Sequence, residues 1–120
     1  MNKSKFKNVH TMVGPDATIN GHLRLSQGLI IYGKVYGDVI TKGPIRIAKN
    51  GLVQGNVEGS NIRVGGTVIG DVKSDGQVVL MKNCVLKGDI SYRKLHIEDG
   101  AQFEGKCDLV AEMNLESANN

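Results

Sequence analysis

A short pattern recurs six times along this 120-residue chain: apolar, any, glycine, any, apolar. It reads Ile19-Asn-Gly21-His-Leu23, Val35-Tyr-Gly37-Asp-Val39, Val53-Gln-Gly55-Asn-Val57, Val68-Ile-Gly70-Asp-Val72, Leu86-Lys-Gly88-Asp-Ile90 and Phe103-Glu-Gly105-Lys-Cys107. The glycines lie 16, 18, 15, 18 and 17 residues apart. Repetition at this period points to a fold of stacked units, in which no single unit can bury its own apolar face.

A second pattern, apolar-any-apolar, precedes most copies: Leu29/Ile31, Ile45/Ile47, Ile62/Val64, Val78/Leu80 and Leu95/Ile97. Three or five residues join each pair to its glycine motif. In the five-residue joins the third position reads Asp16, Asn50, Asn83 and Gly100, residue types that tolerate a left-handed backbone. The fourth position is small: Ala17, Gly51, Cys84 and Ala101. The three-residue joins, such as Gly65-Gly66-Thr67, are a tighter corner of the same kind. Strands of three to five residues alternate inward and outward side chains. Stacking them about 4.8 Å apart turns each side of a coil into a parallel sheet. The predicted fold is all-β: a single-domain parallel β-helix of about six rungs of 15–18 residues, with its core built from the apolar positions of both patterns. The uneven repeat departs from the strict six-residue period of left-handed β-helices, so a right-handed coil is expected.

Composition agrees. Glycine is abundant at 16 residues and aromatic residues are 4%, which suits short β-branched strands and tight turns. The net charge of +3 is carried by Lys3, Lys5 and Lys7, and the rest of the chain balances twelve basic against twelve acidic side chains. That excludes a nucleic-acid-binding face. Cys84 and Cys107 form no CxxC motif and follow no signal peptide, so free thiols in a cytoplasmic setting are expected. No apolar run approaches a membrane span. Residues 1–10 and 110–120 lack the repeat and read as flexible tails around a β-helix over 11–109.

A coil of sheets satisfies its side walls and leaves its two end rungs open, with unpaired N–H and C=O groups over an apolar core. No polar or helical cap is written at either end. Only HTMVG precedes the first rung, and the last holds Phe103, Cys107 and Leu109. End-to-end docking of copies would cover such rims and generate an open polymer. Val13 and Ile19 are the matching candidates at the first rung. The motifs IYGKVYGDV, GLVQGNVEG, NIRVGGTVIGDV and VLKGDI together resemble the bactofilins, polymer-forming bacterial cytoskeletal proteins with a small β-helix domain, over about residues 11–109. The resemblance implies nucleotide-independent, non-polar filaments acting in cell shape or in placing cell-wall or envelope proteins at the inner membrane surface. It also implies an assembly role for Phe103, which matches the family's bulky apolar residue in the C-terminal rung.

Several residues invite other readings. Lys3, Lys5, Phe6 and Lys7 suit contact with an anionic membrane, since lysines are drawn to such a surface and a Phe ring can insert. Gly28-LIIY-Gly33-Lys34 imitates a phosphate-binding loop, but Val35 stands where Ser or Thr would hold the metal. No nucleotide or other cofactor is expected. His10, His22 and His96 lack metal-ligand spacing, and no metal site is expected. Asp38, Asp71 and Asp89 read as a hydrophilic wall rather than a calcium or sugar-cleaving site, because the equivalent positions are His22, Asn56 and Lys106. Tyr32 and Tyr36 face outward and offer a lateral contact. The competing functions are a monomeric β-helix binding module and a hexapeptide-repeat-like acyltransferase. The latter needs a catalytic His on a protruding loop, which the sequence lacks, so no enzyme is expected.

Overall fold

The computed structural model describes residues 9–110, which form eighteen strands in six rungs of three. Rung 1 holds β1 (Val9–Val13), β2 (Thr18–Asn20) and β3 (Leu23–Leu25). Rung 2 holds β4 (Gly28–Ile31), β5 (Lys34–Tyr36) and β6 (Val39–Thr41), and rung 3 holds β7 (Ile45–Ile47), β8 (Leu52–Gln54) and β9 (Val57–Gly59). Rung 4 holds β10 (Ile62–Val64), β11 (Thr67–Ile69) and β12 (Val72–Ser74), and rung 5 holds β13 (Gln77–Leu80), β14 (Val85–Lys87) and β15 (Ile90–Tyr92). Rung 6 holds β16 (Lys94–Ile97), β17 (Gln102–Glu104) and β18 (Cys107–Leu109). Strand β1 begins two residues inside the segment expected to be a tail, and its register with β4 is irregular between Val9 and Thr11.

Three six-stranded parallel sheets wall the coil. Wall A runs β1-β4-β7-β10-β13-β16, wall B β2-β5-β8-β11-β14-β17, and wall C β3-β6-β9-β12-β15-β18. This is the predicted parallel β-helix. The inward residues stack in columns. In wall B one column runs Ile19, Val35, Val53, Val68, Leu86 and Phe103. In wall C another runs Leu23, Val39, Val57, Val72, Ile90 and Cys107. Those of rungs 2–5 are fully buried. Burying each such side chain is worth about 1.5–3 kcal/mol, which a lone three-residue strand could never collect.

The corners repeat as well. Between walls A and B, the four-residue turns close with the same bond: the N–H of Ala17, Gly51, Cys84 and Ala101 donates to the carbonyl three residues earlier. Asn83 (φ 68°) and Gly100 (φ 92°) take the left-handed conformation expected of that position. Asp16 and Asn50 do not. A turn closed by this bond accepts either sign of φ at its third residue, and Asp and Asn suit both forms. Between walls B and C the corner is the repeat glycine, with φ between 141° and 156° in all six copies. A Cβ at Gly70 would lie 2.1 Å from the carbonyl oxygen of Gly55, the glycine one rung away.

The predicted core needs correction at its edges. Ile97 and Cys107 are exposed, and Ile19, Leu23, Leu95 and Phe103 are only half-buried, because among the described residues the terminal rungs have a neighbouring rung on one side alone. Cys84, expected merely as a small corner residue, is completely buried in the core. Thr41 and Ser74 are buried polar residues. Each hydroxyl donates to a carbonyl one rung back (Gln27, 2.6 Å; Ser60, 2.8 Å) and accepts an N–H two residues on (Gly43, 3.1 Å; Gly76, 3.0 Å). Ile30 and Val79 are covered although strand alternation turns them outward.

The glycine column yields a contrast. Gly70→Ala combines a strained φ with a backbone clash, whereas a Cβ at Gly21 meets nothing within 4 Å. Strain of this kind costs about 1–3 kcal/mol, and the clash adds to it only at Gly70. Urea unfolding is expected to show a clearly lower midpoint for Gly70→Ala than for Gly21→Ala; equal midpoints would mean that the glycines are not in contact.

Candidate functional site

The two rims are the parts of the coil that its own rungs leave unfinished. Strands β1, β2 and β3 form one edge of the three walls and β16, β17 and β18 the other. Among the described residues no further strand pairs with either edge. The C-terminal rim presents Leu95, Ile97, Phe103, Cys107 and Leu109 from its three strands. Ile97 is 46% and Leu109 36% exposed, and Leu95 and Phe103 pack halfway into the core. The N-terminal rim presents Ala17, Ile19, Leu23 and Leu25, all half-buried against the same core.

Four of the five predicted interface residues therefore stand at a rim with side-chain surface open: Ile19, Phe103, Cys107 and Leu109. Val13 differs. It pairs with Ile31, is only 4% exposed and belongs to the core cluster. Leu25, Leu95 and Ile97 are rim residues that were read only as core or not at all. Their place in the first or last repeat was the available signal. Lys3, Lys5, Phe6 and Lys7 lie outside the described residues.

Burial raises the thiol pKa of Cys84, and at the rim it raises that of Cys107, with Asp108 adding to the effect. Neither is thereby activated as a thiolate nucleophile.

The residues after the repeat glycines form more than a hydrophilic wall. Each side chain accepts a hydrogen bond from the backbone N–H of its counterpart one rung on. His22 Nδ1 accepts from Asp38 (3.0 Å), Asp38 Oδ1 from Asn56 (2.9 Å), Asn56 Oδ1 from Asp71 (3.0 Å), Asp71 Oδ1 from Asp89 (3.0 Å) and Asp89 Oδ1 from Lys106 (3.0 Å). This explains why His, Asn and Asp interchange in the column: each offers a short-range acceptor. Lys106, on the last rung, offers none, and the column ends there. The carboxylates thus serve the backbone, and no group of three or more His, Cys, Asp and Glu among the described residues could hold a metal ion. Tyr32, at the corner between walls A and B, and Tyr36, on wall B, are both exposed. No helix among the described residues is long and apolar enough to cross a membrane.

Residues 11–108 match the family model of the bactofilins, described as polymer-forming cytoskeletal proteins. Two curated relatives from Myxococcus xanthus (strain DK1622) align over 100 residues, or 83% of this chain. Bactofilin BacO is 30% identical across 79% of its own length. Bactofilin BacP is 32% identical, and the match spans 42% of it. No solved structure matches the chain.

The ladder is testable in isolation from the rims. Asp71→Ala removes the acceptor for the Asp89 N–H and is expected to cost about 0.5–1.5 kcal/mol. Asp71→Asn keeps an acceptor and should be close to neutral by urea unfolding. Equal losses would mean that the bond contributes nothing.

Proposed function

We propose a filament-forming role for this chain, which belongs to the bactofilin family of polymer-forming cytoskeletal proteins. Copies dock rim to rim, continuing the strand ladders and covering the apolar residues left open on the first and last rungs. The observation that carries this reading is the open rim itself: Ile97, Leu109 and half-buried Phe103 on one end, Ile19, Leu23 and Leu25 on the other, above edges that no described strand covers. Burial of apolar surface and pairing of edge strands both favour association, and neither needs a nucleotide. A docking surface at each end of a rod propagates without closing, so the product is an open polymer.

Within the cell the polymer acts as a scaffold for cell shape or for cell-wall and envelope proteins, on the cytoplasmic face of the membrane. The basic N-terminal segment with Lys3, Lys5, Phe6 and Lys7 makes the membrane contact. Many weak tails carried on one filament act together, so affinity along a polymer greatly exceeds that of a single tail.

Phe103→Arg places a charge in the rim while leaving rungs 1–5 intact. The variant is expected to keep the β-sheet circular-dichroism spectrum and to lose long filaments by negative-stain electron microscopy. Long filaments in the folded variant would remove Phe103 from the joint. Deleting residues 1–8 should leave filaments unchanged and lower co-sedimentation with anionic vesicles.

A further inference from the structure

The four middle rungs of the coil carry opposite charges on opposite sides, whereas the wall A corners of rungs 1 and 6 carry Asp16, Glu98 and Asp99. In rungs 2–5, wall A and the corner that follows it contain Arg46, Lys49, Arg63 and Lys82 and no carboxylate. In the same rungs the corner between walls B and C contains Asp38, Asp71 and Asp89 and no cation. In a three-sided coil that corner lies across from wall A. Strand β1, which the basic segment 1–8 enters, is also part of wall A.

The outward column of wall A reads Met12, Ile30, Arg46, Arg63, Val79 and His96. Arg46 and Arg63 are directly paired across β7 and β10. Like charges opposed in a ladder are unfavourable, so the charges of this exposed pair add nothing to the sheet. Among the described residues neither guanidinium forms an ion pair with a carboxylate. Beside them lies a notch of about 190 Å³ lined by Arg46, Lys49, Gly65, Met81, Lys82 and Glu98. It exists because rung 4 turns its corner in two residues, Gly65-Gly66, between the four-residue corners of rungs 3 and 5. Those longer corners carry Lys49 and Lys82 and so place a cation on each side of the dip.

We infer that the middle of wall A is the face of the coil that lies on an anionic phospholipid bilayer, with Arg46 and Arg63 facing phosphate headgroups and the Glu98 carboxylate, held by the Lys82 N–H at 2.9 Å, at the edge of the contact. The inference rests on the membrane contact proposed for segment 1–8 and extends it from the tail to the folded body. Met12, more than half exposed, and Tyr32 add apolar and amphipathic contacts on this side. The Asp38–Asp71–Asp89 ridge is held away from the surface, so the field of the lipid orients the rod about its axis. One weak anchor gives marginal membrane binding, and a second on the body makes it stable.

The test is co-sedimentation of the full chain with mixed phosphatidylglycerol–phosphatidylcholine vesicles, with phosphatidylcholine alone as the neutral reference. Arg46→Gln/Arg63→Gln is compared with Lys73→Gln/Lys87→Gln, which removes the same charge from walls C and B, and with deletion of residues 1–8. All four are exposed positions, and circular dichroism and electron microscopy check fold and filaments. Each charge near an anionic surface is worth about fivefold in binding, so losing the wall A pair should weaken it by about twenty-five-fold. The Lys73/Lys87 pair should change it little. Equal losses for the two pairs would show undirected charge and overturn the assignment. Loss on tail deletion with no loss for Arg46/Arg63 would overturn it and leave the tail reading standing. A wild-type chain that ignores anionic vesicles would overturn both.

Discussion

The parallel ladder between successive rungs is the interaction on which the rest of this structure depends. Each strand spans three to five residues and makes no stable unit alone. It acquires partners only from the rung before and the rung after. The same stacking sets the core columns, since Val35, Val53, Val68 and Leu86 bury one another by register. It also sets the corners, where each repeat glycine from Gly37 on lies against the carbonyl of the one before it. Built this way, the described rungs are paired along the length of the coil and open at its two edges. The open rims are therefore a consequence of the construction, and the description of the family as polymer-forming supports the use proposed for them.

Much of this was legible in the sequence because the physics repeats. Glycine at the same place in each rung, with a positive φ, is required by the crowding of one rung on the next, so the period could be read directly. The inward columns followed from alternation. What escaped reading depended on neighbours that a one-dimensional pattern does not show. Ile97 and Cys107 carry core-like residues at core-like positions, yet among the described residues no further rung stacks on them. Ile30 and Val79 point outward and are nonetheless covered. The His22-to-Lys106 column looked like a variable polar wall because its members differ in charge. They share only an acceptor within reach of the next N–H, and that geometry appears once the rungs are aligned.

The rims and the walls divide the work. The rims are apolar, edge-like and shared by every rung pattern, so they suit contacts with another copy. The walls vary in charge from side to side in the middle rungs, and the face proposed for the bilayer rests on that difference. Uneven corner lengths supply the relief: Gly65-Gly66 recedes where the corners above and below it protrude. The 15-to-18-residue variation that blurs the repeat in sequence thus becomes surface shape in the fold.

The central claim is that the strand ladder runs on from one copy into the next. Diffraction from oriented filaments of the purified wild-type chain, with no nucleotide added, measures this directly. The account predicts a meridional reflection at about 4.8 Å and an axial rise per subunit near six rungs, about 29 Å. Particles of single-chain mass at high concentration, or filaments whose strands do not stack along the axis, would contradict it.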